Sequence, residues 1–465
     1  MSQTSAGISA AAASAADEMP PEGRKALIGA WVGFFVDMFD IYLPVIALAP
    51  AAAYFEASDV SPATSAILSS MIFAATLIGR PIGAIVFGHF GDRAGRRRTT
   101  IVAVTGFGIT TLLIAALPGF ESFGVPAVVA LILLRFIDGI FLGGQYTSAT
   151  PLALEYSPKR RRGLFGALIM TGYPLAYCAI SLITFALLKV IPAGGLHSPY
   201  VQWGWRIPFV LGALLAFGFA IWYARHVKES EAWQKAPKAK APLLELLKGK
   251  NLGNFVQVFT LMSGIWLGLN MVSAVLPRLL RNPVGLADND VNVVLFLSYA
   301  VLALGYVGAG VLSQRIGRRT YFILAGVLTT FAAPVLFGLI VGRVVTGVAA
   351  VVLVTIVLNI IVLASWGVVS TYINERFHVG IRASGYGIGY SLAVVIPAFY
   401  AFYQVSLSSL MPMQYTPLVL LAIAGLLIWI GGAWGPETRD VDMAASEAEP
   451  PAPAASGEAA FAESR

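Results

Sequence analysis

Apolar residues fill this chain span after span, interrupted by short polar connections at nearly regular intervals. Runs of spanning length fall near 27–55, 64–89, 99–118, 125–149, 164–191 and 206–224, and again near 253–277, 291–313, 320–341, 344–373, 384–407 and 415–434. A helix needs about 20 apolar residues to cross the hydrocarbon core of a bilayer, where it satisfies its own backbone hydrogen bonds. The pattern predicts an all-α membrane protein with twelve transmembrane helices. Between the two sets of six lies a stretch from Arg225 holding seven Lys or Arg, three Glu, Pro237 and Pro242. The expected plan is a disordered tail over residues 1–25, a six-helix bundle over 26–225, a cytoplasmic central loop over 226–252, a second bundle over 253–435 and a disordered tail rich in Ala, Pro and Glu over 436–465.

Composition agrees with this plan. Hydrophobic residues make up 57% of the chain and charged residues 12%, about half the charged share of a soluble domain, so too few polar side chains exist to cover a water-exposed surface. The formal charge of +7 does not point to nucleic acid, because the basic residues have a topological use. Counting alternate connections as cytoplasmic collects 24 of the 31 Lys and Arg on one side, leaving Lys189, Arg206, Arg278, Arg281 and Arg343 opposite and Arg80 and Arg135 within spans. Both termini are therefore expected in the cytoplasm, and the first 25 residues lack the charged start and apolar centre of a signal peptide. Cys178 is the one cysteine, and His89, His197, His226 and His378 fall at span ends or in loops, so neither a metal site nor a cofactor is expected. No nucleophile motif, large soluble domain or GxxxxGK[ST] loop supports an enzyme or ATP-driven transport.

The loops repeat. GHFGDRAGRRR begins at Gly88 and GVLSQRIGRRT at Gly310, so that Gly88, Arg93 and Gly95 recur 222 residues later as Gly310, Arg315 and Gly317. Glu155 and Arg162 recur 220 residues later as Glu375 and Arg382. Two loops repeating at nearly one spacing, on either side of a basic linker, imply two six-helix halves of similar plan that rock about a central site.

Gly88 to Arg97 satisfy G-x-x-x-D-R-x-G-R-R, and further stretches are RPIGAIVFGHFGDRAGRR from Arg80, RFIDGIFLGGQ from Arg135, LEYSPKRRRG around Glu155, GWRIPF from Gly204 and GPETRD from Gly435. In these residues the chain resembles the major facilitator superfamily and, within it, the metabolite:proton symporters. The family's first span usually carries E-W-F/Y-D; this chain has Asp37-Met38-Phe39-Asp40, which also resembles the D-G-F-D of aromatic-acid symporters. The resemblance implies a monomeric proton-coupled symporter of a small organic acid in a bacterial inner membrane. It also implies a gating role for the loop residues Gly88, Asp92, Arg93, Gly95, Arg96, Glu155, Arg162, Arg315, Glu375 and Arg382, with a weaker second latch where Gln314 replaces the acid.

Charged groups inside a bilayer cost at least ~2.5 kcal/mol each at a helix centre, and they survive where a cavity, partner or function accommodates them. Asp37 and Asp40 stand three apart on one helical face, and two carboxylates so close in a poorly hydrated cavity do not both ionise easily, which makes them candidates for proton coupling. Arg80 lies well inside the membrane, and its fork matches a carboxylate, either that of a substrate or that of Asp37 or Asp40. Arg135 and Asp138 are again three apart; protonation of Asp138 would free Arg135, or the pair is permanently neutralised. Tyr42, Gln145, Tyr173, Asn270, Trp366 and Tyr390 are further candidates to line a substrate cavity, each equally suited to bonding between helices. A zwitterionic osmolyte such as betaine or proline is the alternative solute. The short, acidic, proline-bearing tail after Gly435 counts against it, since osmosensing would favour a long heptad extension.

Overall fold

The computed structural model describes residues 19–57, 62–94, 96–227, 248–377, 382–441 and 443. Among the described residues, twelve helices are long and apolar enough to cross a membrane: α1 (Pro21–Ile46), α2 (Ile67–Phe87), α3 (Arg97–Ala115), α4 (Val125–Glu155), α5 (Lys159–Val190), α6 (Tyr200–His226), α7 (Asn251–Arg281), α8 (Asp288–Ile316), α9 (Arg318–Val341), α10 (Val348–Arg376), α11 (Ser384–Leu407) and α12 (Met413–Trp434). Among the described residues there is no strand. Leu133, Leu304, Phe331, Leu353 and Trp434 stand exposed on the outer faces, an apolar belt that only a bilayer solvates.

Prolines set several boundaries. Pro21 occupies the first turn of α1, where a missing N–H costs nothing, so the helix begins before the expected end of the tail at residue 25. The apolar run expected to span 27–55 is two elements, because Pro44 and Pro50 remove amide donors; α1 stops at Ile46 and a 3₁₀ segment, Ala49–Phe55, bends at Ala51. The tail expected to be disordered from residue 436 is likewise ordered over 436–441, where Glu437 and Thr438 bond to the helix ends.

The most extensive contact in the first six helices is α2 on α4, and in the last six α9 on α12. On α2 a Cβ at Gly83 would collide with the Ile140 carbonyl, and on α4 a Cβ at Gly143 would collide with the Arg80 carbonyl, so only glycine allows this backbone approach. Between the two sets of six, the main contacts are α2 with α11 and α5 with α8. Each is the counterpart of the other under a six-helix offset, as a repeated plan requires.

Candidate transport site and gates

Five charged side chains that the apolar pattern left inside the spans meet on three neighbouring helices, and all five are buried. Arg80 on α2 donates from Nη2 to Asp37 Oδ2 on α1 at 2.9 Å. One turn along α1, Asp40 Oδ2 accepts from Arg135 Nη1 on α4 at 2.9 Å, and the same nitrogen lies 3.0 Å from Asp138 Oδ2. That nitrogen's hydrogen bond goes to Asp40; Asp138 Oδ2 is an ion-pair neighbour with no hydrogen bond of its own. Two threonines of α3 complete the cluster. Thr111 donates to Asp40 Oδ1, and the Thr110 hydroxyl is shared between Asp138 Oδ1 at 3.0 Å and the Phe107 carbonyl at 2.9 Å.

Arg80 is only partly used by Asp37. Its Nε and Nη1, and Asp37 Oδ1, are buried without a hydrogen-bond partner. Its guanidinium carbon lies 4.7 Å from the ring centre of Tyr146 on α4 and 6.0 Å from that of Tyr390 on α11, so the arginine faces across the junction between the halves. Beyond Tyr390 a small void is walled by Tyr42, Tyr173, Trp266, Tyr306 and Trp366 with Phe34 and aliphatic neighbours. This conformation leaves it about 10 Å³, less than a solute needs. A larger cavity of about 240 Å³ opens between α1, α2, α7 and α11 and includes Phe73, Arg278 and Tyr400. Phe73 packs on Tyr42 at 5.6 Å between ring centres, and Tyr177 stacks on Tyr299 at 3.8 Å across the α5–α8 junction. Phe73 lines this vestibule and Tyr42 the small void, so that ring pair stands between the two.

The opposite end of the bundle is closed by ion pairs. Glu155 at the end of α4 meets Arg382, which precedes α11, at 3.1 Å. Glu375 near the end of α10 lies 3.6 Å from Arg162 on α5 and 3.4 Å from Arg318 on α9. Gln314, standing where the first repeat has an acid, accepts from Arg318 Nη2 at 2.7 Å and from the Gly163 amide at 3.3 Å, so the amide joins the two halves directly. The segment after α12 is laid over these pairs. Glu437 caps the start of α9 by accepting from the Arg318 and Arg319 amides at 2.9 and 3.2 Å, and Thr438 donates to Glu375 at 2.7 Å. Arg162 and Arg382 donate to the carbonyls of Val441 and Met443 at 3.1 and 2.8 Å.

Of the residues expected to bind solute, Tyr42, Tyr173, Trp366 and Tyr390 line the central void; Arg80 does not line it but lies 6.0 Å from the ring centre of Tyr390, which does. Gln145 and Asn270 do not line it. The Gln145 amide packs against Gly33 on α1, and Asn270 donates to the Pro397 carbonyl at 2.9 Å, tying α7 to the break in α11. Asp37, Asp40, Arg135 and Asp138 are brought together as described. Among the loop residues, Glu155, Arg162, Glu375 and Arg382 form the closure, and Arg315 enters through its carbonyl, which accepts from Arg439 at 3.1 Å. Gly95 and the side chains at Gly88, Asp92, Arg93 and Arg96 lie outside the described residues. Tyr146, Thr110, Thr111 and Arg318 escaped the sequence reading, although two of them left a signal. Tyr146 stands eleven residues, three helical turns, after Arg135 and so on the same face. Arg318 stands 222 residues after Arg96, at the repeat offset already noted.

Residues 30–286 match the family model described as Major Facilitator Superfamily, and residues 225–448 that described as Sugar (and other) transporter. The chain is 29% identical over 415 residues to the inner membrane metabolite transport protein YhjE of Escherichia coli, covering 87% of this chain and 92% of that protein. It is 28% identical over 419 residues to the shikimate transporter of the same organism, again covering 87% and 92%, and 29% identical over 378 residues to its alpha-ketoglutarate permease, covering 80% and 84%. Among solved structures, the crystal structure of a D-xylose-proton symporter superposes with a TM-score of 0.65 at 19% identity, covering 89% of this chain and 98% of that one, and shows the fold. With a family model matching more than half its length, twelve spanning helices and relatives that are inner-membrane transporters, the chain belongs to the Major Facilitator Superfamily and is a multi-pass secondary transporter rather than an enzyme.

Proposed function

We propose that the protein carries a small organic anion across the cytoplasmic membrane together with protons. The observation that carries this reading is Arg80, a buried cation at the junction of the halves with two nitrogens, Nε and Nη1, unpartnered and one carboxylate, Asp37, already on its third nitrogen. A solute carboxylate takes the open side of the fork, and a proton on Asp37 releases the other. Binding and protonation thus favour each other, which is what symport requires. Arg135 with Asp40 and Asp138 forms a second buried group in which carboxylates outnumber the cation, a further place to hold a proton.

The paired arginines and acids at the closed end fit the cytoplasmic side, where most Lys and Arg fall, and this orientation puts both termini in the cytoplasm. The vestibule then faces outward. One chain supplies both halves of the pathway, so the monomer is the working unit. Named relatives include carriers of shikimate, alpha-ketoglutarate and proline or betaine, so the anion is argued from the site. The test is counterflow of a labelled carboxylate panel in proteoliposomes, with and without an inward proton gradient. Carboxylate exchange in both conditions, with accumulation only under the gradient, is expected; exchange of betaine alone removes the anion reading.

A further inference from the structure

We infer that the solute is a monocarboxylate built on a ring, with oxygen substituents at the end away from its carboxylate, and that it moves with one proton and no net charge. This rests on the anion–proton reading above and narrows it.

Charge comes first. The buried centre holds two cations, Arg80 and Arg135, and three carboxylates, Asp37, Asp40 and Asp138. One proton within the Asp40–Asp138 group leaves the empty centre neutral, the state a low-dielectric interior favours. A carboxylate arriving at Arg80 restores one negative charge, and one proton on Asp37 removes it. The groups facing Asp37 fit this exchange: Arg80 from α2, Asp40 on its own helix, Tyr146 from α4, and Tyr386 and Tyr390 from α11. A second carboxylate would enter a void whose lining holds no cation and would lie buried and unpaired.

Shape and polarity supply the rest. Tyr390 lies 5.4 Å from Trp266 and 5.6 Å from Trp366, and the two tryptophans meet edge-on at 4.7 Å. A body held beside Arg80 therefore meets ring faces and edges, which suit another ring. Within the same wall, Trp366 Nε1 and the Tyr306 hydroxyl are buried without partners. Oxygen on the far side of the solute gives both an acceptor. A quaternary ammonium would also suit aromatic faces, but it offers these donors nothing to accept, and with one proton it would carry net charge.

The experiment uses the full chain in proteoliposomes on a solid-supported membrane, with 3,4-dihydroxybenzoate, benzoate, acetate, succinate, citrate and glycine betaine as probes. The expected result is competition by 3,4-dihydroxybenzoate about tenfold stronger than by benzoate, weaker competition by the others, and no transport current at zero membrane potential. Trp366→Phe keeps an aromatic ring and removes the indole N–H, and should narrow the tenfold preference; a size-exclusion profile matching the parent's reports a folded carrier. Preference for acetate, succinate or citrate, equal binding of both benzoates, or a current during uptake overturns the inference while leaving anion symport standing. Transport of betaine with no carboxylate transported overturns the anion reading itself.

Discussion

Arg80 and Asp37 meet through a single nitrogen and a single oxygen, 2.9 Å apart, while Nε and Nη1 of the arginine and Oδ1 of the aspartate are buried without partners. Two forked groups packed for structure alone would settle fork to fork. The one-point contact leaves room for a third party on the arginine. Arg80→Lys keeps the charge and removes the planar fork, so it should lower anion uptake by about 100-fold while the protein stays folded. Initial uptake rates beside size-exclusion profiles check this; uptake within twofold of the parent would remove Arg80 from the site.

Asp37→Asn keeps the shape of the Arg80 partner and abolishes its exchange with protons. Counterflow of labelled anion, which needs no net proton movement, should persist. Accumulation driven by a pH gradient should fall to the equilibrium level. A variant still concentrating solute as the parent does would clear Asp37 of coupling.

Asp40 and Asp138 share Arg135 unequally, since Asp40 holds the hydrogen bond and a carbonyl contact while Asp138 lies beside the same nitrogen. Asp138→Asn leaves Arg135 neutralised by Asp40 and should fold normally. The parent's uptake should rise as outside pH falls below inside pH, because the proton is a co-substrate, and Asp138→Asn should flatten that rise. The double change Asp40→Asn with Asp138→Asn strands a buried guanidinium and should cost about 3–5 kcal/mol of stability, measured by thermal unfolding in detergent. An unflattened pH profile in Asp138→Asn would make the residue a passive neighbour.

The helices and their number were legible because each must bury backbone polar groups and expose apolar faces over one bilayer thickness, which writes a repeating signal into the chain. The buried charges were legible for the converse reason: Arg80 and Asp138 are conspicuous where charge is costly. Their partners were less so. That Asp40 would reach Arg135 rather than Arg80 depends on the rotation of α1 against α4, which no single helix encodes. Gln145 and Tyr146 show the same limit, since a 100° step decides which of two neighbours turns toward Arg80, and the choice falls to Tyr146. The segment after Gly435 read as tail because acidic, proline-bearing composition resembles disorder; its order comes from Arg162, Arg318, Arg382 and Glu375, far away in sequence.

Those same residues make the last prediction. Glu375 faces both Arg162 of the first half and Arg318 of the second, so it is a pin across the closed end. Glu375→Gln keeps its size and weakens both ion pairs, and a loss of about 1.4 kcal/mol shifts a two-state balance tenfold toward the state open at that end. In a Cys178→Ser background, Ser69→Cys reports on the vestibule, whose wall includes Ser69. Adding Glu375→Gln should slow maleimide labelling of Ser69→Cys, because rocking that opens the latch end closes the vestibule. Ser370→Cys, buried on α10, should label faster. Unchanged rates at both positions would mean that the pairs around Glu375 fold the bundle end without biasing the rocking motion.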